Sequence, residues 1–171
     1  MRRGPRGFFT VNLARRKNNR LLVERFDVLR EAFNAVRARH PYRTDALVVM
    51  PDHLHCLWTL PPGGTDFLMR WGLIKAQFSR AIGKGERRSP SRIERGERGL
   101  WQRRFWEHLI LDQEDFNRHA DYLHWNPVKH GWVKRVADWP HSTFHDYVTR
   151  GIYPMDWGGG GVDSVEMEAG E

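Results

Sequence analysis

A strand, a helix, two strands, a second helix, a fourth strand and a closing helix follow one another along the 171 residues. The first six predict an α+β fold of the split βαβ, or ferredoxin-like, type. Two observations carry that reading. Apolar residues alternate with period two in short β-branched and aromatic stretches. They recur at helical spacing in the longer segments between. The expected product is a four-stranded antiparallel sheet with helices on one face and the first and third strands at its centre.

Arg2, Arg3 and Arg6 make the N-terminus a basic arm, and Phe8-Phe9-Thr10-Val11-Asn12-Leu13 reads as the first strand. A polar turn follows, with Arg15, Arg16, Lys17 and Arg20 around Asn18-Asn19. Glu24 to Arg39 reads as a helix, because Phe26, Leu29, Phe33 and Val36 recur at helical spacing before Pro41 stops it. Asp45 to Met50 is the second strand. Pro51 cannot take the positive φ of a type I′ turn, so the link to the third strand is expected to be wider than two residues.

The third strand starts at His53-Leu54-His55-Cys56-Leu57-Trp58. Side chains on a strand alternate, so His53, His55 and Leu57 share one face, and Leu54, Cys56, Trp58 and Leu60 share the other. The two imidazoles are about 7 Å apart at the backbone and can lean onto one metal ion. A pair of exposed or hydrogen-bonded strand histidines is the competing reading. Cys56 falls on the apolar face, which predicts a buried, inert thiol rather than a nucleophile.

Pro61-Pro62-Gly63-Gly64 closes that strand, and Thr65 or Asp66 is placed to cap a helix running to about Ile82. Phe67, Trp71, Ile74 and Phe78 form its inner stripe. Residues 83–104 break the pattern: Lys84, Arg87, Arg88, Arg92, Arg95, Arg98, Arg103 and Arg104 stand against Glu86, Glu94 and Glu97. A basic loop of that length in a small domain points to DNA-backbone contacts, with a solvated linker as the plainer reading. Phe105 to Leu111 reads as the fourth strand. Asp112 caps the last helix, whose first turn is acidic (Glu114, Asp115) and whose inner stripe is Phe116, His119, Ala120 and Leu123. Tyr122 and Asn126 lie one turn apart on one face of it. Pro127 is expected to end or kink this helix at Asn126. Trp139 to Trp157 reads as an aromatic extended segment, and Gly158 to Gly161 as a flexible break.

Composition narrows the partners. The net charge is +7 and the pI about 10.1, which points to a polyanion, nucleic acid before membrane. No run of about 18 apolar residues appears, no signal-peptide core follows the basic start, and the single cysteine suits a reducing cytoplasm. Residues 1–157 read as one domain and 158–171 as a glycine-rich, acidic tail. Asp156, Asp163, Glu166, Glu168 and Glu171 follow Tyr153 with no Lys or Arg among them, so the body is more cationic than the whole chain.

Four segments together resemble the REP-associated tyrosine transposases, a bacterial branch of the single-tyrosine HUH transposases. They are Val49-Met50-Pro51-Asp52-His53-Leu54-His55-Cys56-Leu57-Trp58, Trp101-Gln102-Arg103-Arg104-Phe105-Trp106-Glu107-His108, the stretch from Asp121-Tyr122 through Asn126-Pro127 to Gly131, and Trp139-Pro140-His141-Ser142-Thr143-Phe144. The resemblance covers nearly the whole chain and implies a sheet of the HUH endonuclease type. It implies that His53 and His55 bind a divalent metal with Asn126 as third ligand, and that Tyr122 is the nucleophile. Other branches carry Gln at the third position; the shorter Asn needs a closer helix or a water. The resemblance also implies a monomer or weak dimer acting on single-stranded DNA at repetitive extragenic palindromic hairpins.

The chemistry fits those residue types. Two imidazoles and an amide oxygen leave open positions for a phosphate oxygen, and Mg²⁺ or Mn²⁺ suits such a donor set. A free tyrosine is only about 0.1% ionised at pH 7, so the nucleophile needs a cation nearby, and Lys129 or His130 could supply one. Attack by Tyr122 would leave a 5′-phosphotyrosine and a free 3′-OH, conserving the bond for rejoining. Trp101, Trp106 or Trp125 could stack on unpaired bases. His108, His119, His124 and His130 read as structural groups or phosphate contacts, and Glu107 is assigned no role. A hairpin-binding protein without catalysis and a metal nuclease that uses water remain the alternatives.

Overall fold

The computed structural model describes residues 3–83, 90–94 and 99–159. Strands β1 (Arg6–Asn12), β2 (Arg43–Val49), β3 (His53–Thr59) and β4 (Trp106–Leu109) form one sheet in the order β2-β3-β1-β4. Every neighbouring pair is antiparallel. The first and third strands are therefore central, as the split βαβ pattern requires, and the histidine strand is hydrogen-bonded on both edges.

Alternation sorts the sheet into two cores. Phe9, Val11, Leu54, Cys56 and Trp58 pack against helices α2 (Phe26–Arg39) and α3 (Phe67–Ala81). Trp58 and Trp71 stack at 4.2 Å and 6° at its centre; each such buried ring contributes on the order of 2–3 kcal/mol. On the opposite face Phe8, Ala46, Val48 and Leu57 pack against helix α5 (Gln113–Lys129) and the C-terminal aromatics Trp139, Phe144, Tyr147 and Tyr153. The first six elements thus leave one sheet face bare, and the seventh covers it. Cys56 is fully buried, and burial pushes its thiol well up.

Four expectations are corrected. The first long helix begins at Phe26 rather than Glu24, and a separate single turn not anticipated, α1 (Leu21–Glu24), precedes it and breaks at Arg25 (φ −115°, ψ 37°). The β2–β3 connection is tight, since Met50 N donates to His53 O across Pro51-Asp52 at 2.8 Å. Neither residue has positive φ; the loop is held instead by Leu13 N donating to Asp52 O and Leu22 N donating to Pro51 O. Helix α5 runs through Pro127 to Lys129. Its end is closed by Trp132 N to Pro127 O and Gly131 N to Val128 O, both 3.0 Å, with Gly131 at φ +74°. That left-handed closure holds the last turn helical despite the missing proline N–H. Finally, the C-terminal segment is not extended throughout. Residues 139–143 run along the outer edge of β2, where Val49 N donates to His141 O and Trp139 Nε1 to Val49 O, and then a short helix α6 (Phe144–Thr149) forms. Within the basic loop a further short helix, α4, occupies Pro90–Glu94, with proline at its first position.

The start of the glycine-rich stretch is packed. Gly159 has φ +77°, and a Cβ there would come within 2.4 Å of the Trp125 ring, so only glycine fits.

Candidate active site

His53, His55, Tyr122 and Asn126 are all buried, in the layer between the sheet and α5. His53 and His55 have ring centroids 5.0 Å apart. The helix is anchored over them at two points: Tyr122 lies 5.5 Å from His55, and His130 lies 5.4 Å from His53. Residues 122, 126 and 130 follow at one-turn intervals on one helix face. The face that carries both contacts therefore carries Asn126 between them. A kink at Pro127 would have removed His130 from this row.

Each strand histidine is held through its Nδ1. Thr10, across the β1–β3 ladder, places Oγ1 2.8 Å from Nδ1 of His55. Asp52 places Oδ1 2.7 Å from Nδ1 of His53. Arg16 Nε donates to the other oxygen of Asp52 at 2.9 Å. Burial works to raise the Asp52 carboxyl, but its hydrogen bonds to His53 and Arg16 outweigh it and hold the group below the ordinary aspartate value. The Nε2 atoms of both histidines and Oδ1 of Asn126 are buried and take no hydrogen bond among the described residues. Buried polar atoms are nearly always paired, so two imidazole nitrogens and an amide oxygen in this state fit a divalent cation.

Lys129 Nζ donates to the Tyr122 hydroxyl at 3.0 Å and lies 4.8 Å from the ring centroid. A cation thus rests on the phenol oxygen from the solvent side, Lys129 itself being exposed.

A second histidine cluster lies on the same sheet face. His108 on β4 and Asp115 and His119 on α5 bring ligand atoms within 4.8 Å of one another, an arrangement compatible with a metal ion. Phe8 separates it from the first, with its ring 5.6 Å from His55 and 4.8 Å from His119.

Three comparisons bear on these residues. No family model matches the chain. A REP-associated tyrosine transposase of Escherichia coli K12 is 46% identical over 169 residues, covering 99% of this chain and 92% of that protein. The chain belongs to the REP-associated tyrosine transposase family. A relative of the same description from Haemophilus influenzae KW20 Rd is 42% identical over 89% of this chain and 86% of its own length. A solved REP-associated tyrosine transposase bound to a REP hairpin superposes with a TM-score of 0.84 at 46% identity, covering 99% of this chain and 93% of that one. The four-stranded α+β fold is therefore the family's, and the chain is an enzyme of the tyrosine transposase class.

Within this transposase the other anticipated residues fall unevenly. Arg103 and Arg104 are exposed, just after Trp101 and Gln102 pair with the end of β1 beside the His53 end of the sheet. Arg92 lies in the short helix Pro90–Glu94. Arg87, Arg88, Arg95 and Arg98 lie outside the described residues, as does the acidic end from residue 160. Glu107 is exposed on the opposite side of β4 from His108. His124 is buried and bridges Thr143 and Tyr153, and burial drives it down to about 3, so it is a neutral structural group. Trp101 is buried with the α3 side, whereas Trp106 and Trp125 are partly exposed. Among the described residues no helix is long and apolar enough to cross a membrane.

Sequence reasoning passed over Thr10, Arg16 and Asp52 as site residues. Asp52 had a signal, a carboxylate directly before a candidate ligand. Thr10 had none until the strand register placed it opposite His55.

Proposed function

We propose that this transposase cleaves and rejoins single-stranded DNA at palindromic hairpins through a covalent bond to Tyr122. The observation that carries the proposal is the row formed by Tyr122, Asn126 and His130 lying over His55 and His53, with Lys129 on the phenol oxygen. The solved relative bound to a REP hairpin supports hairpin DNA as the substrate.

His53, His55 and Asn126 would hold the metal, with Mg²⁺ or Mn²⁺ the ion of choice for an N,N,O set that must also meet phosphate. When bound, the ion supplies Lewis acidity and a fixed position for a non-bridging phosphate oxygen. The rest falls to the chain. Lys129 sets a positive charge against the phenol oxygen and favours the ionised nucleophile. Tyr122 Oη attacks phosphorus and the P–O3′ bond breaks. The 3′ oxygen leaves and takes up a proton, and the 5′ phosphate stays on the protein. Attack by a 3′-OH on that phosphotyrosine reverses the step and rejoins the strand. Arg87, Arg88, Arg92, Arg95, Arg98, Arg103, Arg104 and Lys129 would neutralise the DNA backbone.

The test is adduct formation. Hairpin single-stranded DNA with Mn²⁺ should give a protein–DNA species that survives denaturation, and Tyr122→Phe should bind DNA without forming it. Cleavage without an adduct would indicate a water-using nuclease, and binding without cleavage a hairpin-binding protein. Undiminished adduct in Tyr122→Phe would remove Tyr122 from the mechanism.

A further inference from the structure

We infer that Asp52, braced by Arg16, is the positioning residue that keeps His53 in its metal-binding tautomer. This inference rests on the metal reading of His53 and His55 given above.

At neutral pH a carboxylate has no hydrogen to give, so an oxygen 2.7 Å from an imidazole nitrogen requires that nitrogen to carry one. His53 Nδ1 therefore bears the hydrogen, and in the neutral ring the lone pair is left on Nε2. Arg16 also lies near, with a terminal nitrogen 3.3 Å from Nδ1. A guanidinium only donates, so it would demand a lone pair at Nδ1 and the opposite tautomer. The distances decide between them: 2.7 Å to the carboxylate is a short charge-assisted bond, and 3.3 Å to the guanidinium is a marginal one. Arg16 spends its better bond on Asp52, with Nε 2.9 Å from Oδ2. Its effect is to fix the carboxylate, and through it the ring.

The backbone cooperates. Asp52 immediately precedes β3, and its carbonyl accepts from Leu13 N at 2.9 Å. The carboxylate is thus mounted on a loop tied to the end of the neighbouring strand. The far side of the ring agrees: His53 Nε2 is buried and takes no hydrogen bond among the described residues. His55 differs in kind. Its Nδ1 meets the Thr10 hydroxyl, which can donate or accept, so Thr10 orients that ring without dictating its proton. The two ligands are unequally specified, His53 by a charge and His55 by a rotor. A carboxylate behind a ligating imidazole also raises its basicity, and losing such a partner typically weakens metal binding about 10–100-fold.

The experiment uses the full chain without DNA. Free Mn²⁺ is titrated by EPR for wild type, Asp52→Asn and His53→Ala, and the His53 tautomer is read from long-range ¹H–¹⁵N NMR correlations. Wild-type His53 should carry its hydrogen on Nδ1. Asp52→Asn offers an amide that can donate to Nδ1 as readily as accept. It should therefore mix the tautomers and weaken Mn²⁺ binding about 10–100-fold with little change in Tm. If Asp52→Asn binds Mn²⁺ as wild type does while His53→Ala does not, the role of Asp52 is overturned and the metal reading stands. If His53→Ala binds as wild type does, the metal reading itself fails. The wild-type spectrum needs no variant to fold: a His53 hydrogen on Nε2 overturns the inference alone.

Discussion

Two histidine clusters sit side by side beneath α5, and they differ in what their polar atoms are doing. In His108, Asp115 and His119 the bonds are already made. His108 Nε2 donates to Asp115 Oδ2 at 2.8 Å, and Leu111 N donates to the same oxygen at 2.9 Å. His119 Nδ1 donates to the Asp115 carbonyl at 2.7 Å, and the two imidazoles stack at 4.5 Å and 12°. The group ties β4 to the first turns of α5. At His53 and His55 both Nδ1 atoms are engaged, and the Nε2 atoms are buried and take no hydrogen bond among the described residues. The difference lies in the bonds already made: the His108 and His119 nitrogens nearest Asp115 bond its oxygens, whereas Nε2 of His53 takes no hydrogen bond among the described residues.

The largest effect that could break this contrast is on catalysis. His53→Ala or His55→Ala should lower Mn²⁺-dependent cleavage of hairpin DNA by on the order of 10²-fold or more. Affinity for the hairpin should change little, since binding rests mainly on basic side chains. His108→Ala should leave the cleavage rate within about threefold. Loss of metal-dependent cleavage in His108→Ala would reverse the two assignments.

The next effect is on stability against pH. Burial holds His119 and His124 below the ordinary histidine value of 6.5, His124 down to about 3. Below pH 6.5 the unfolded chain therefore binds protons that the folded chain refuses. Stability should fall as pH drops from 7 toward 4.5, by up to about 1.4 kcal/mol per unit for each such group. Asp115 works in a lower window: its carboxyl is held down, so its contribution is present above about 3.8 and is lost only below that. Calorimetry across this range should show Tm declining steadily, and His124→Gln should flatten the decline. An equal slope in that variant would remove His124 as the source.

At neutral pH the second cluster should register as a modest structural loss. His108→Ala removes one hydrogen bond to a buried carboxylate, about 1–3 kcal/mol, or roughly 2–9 °C in Tm for a chain of this size. No change in Tm would mean that the cluster does not tie β4 to α5. The smallest effect concerns the exposed arginines leading into β4. Arg103→Gln with Arg104→Gln should flatten the slope of log affinity against log salt by about 1.4 in all, at roughly 0.7 per phosphate contact. An unchanged slope would exclude both from the DNA interface.

Much of this arrangement was legible in the residues because it follows from periodicity. The two faces of β3 follow from alternation, and the central place of β1 and β3 follows from the order of elements. Asp112 caps α5 as its position suggests, accepting from Asp115 N at 2.8 Å. The one-turn spacing of Tyr122 and Asn126 needed only a continuous helix. What escaped depends on contacts that local rules do not encode. Pro127 argues for a break, and the closure through Gly131 and Trp132 overrides it. The tight turn at Pro51-Asp52 relies on Leu13 and Leu22, both far upstream in sequence. Thr10 reaches His55 only through strand register, and the bond from Asp52 to His53 depends on a rotamer. Phe144 to Thr149 is too short for its helical period to stand out from an aromatic-rich stretch.

The most direct test of the contrast is anomalous diffraction from crystals of the full chain soaked with Mn²⁺. A single strong peak within coordination distance of the Nε2 atoms of His53 and His55, facing Asn126, is the result predicted here. A peak bridging His108, Asp115 and His119, with none between His53 and His55, would contradict the account.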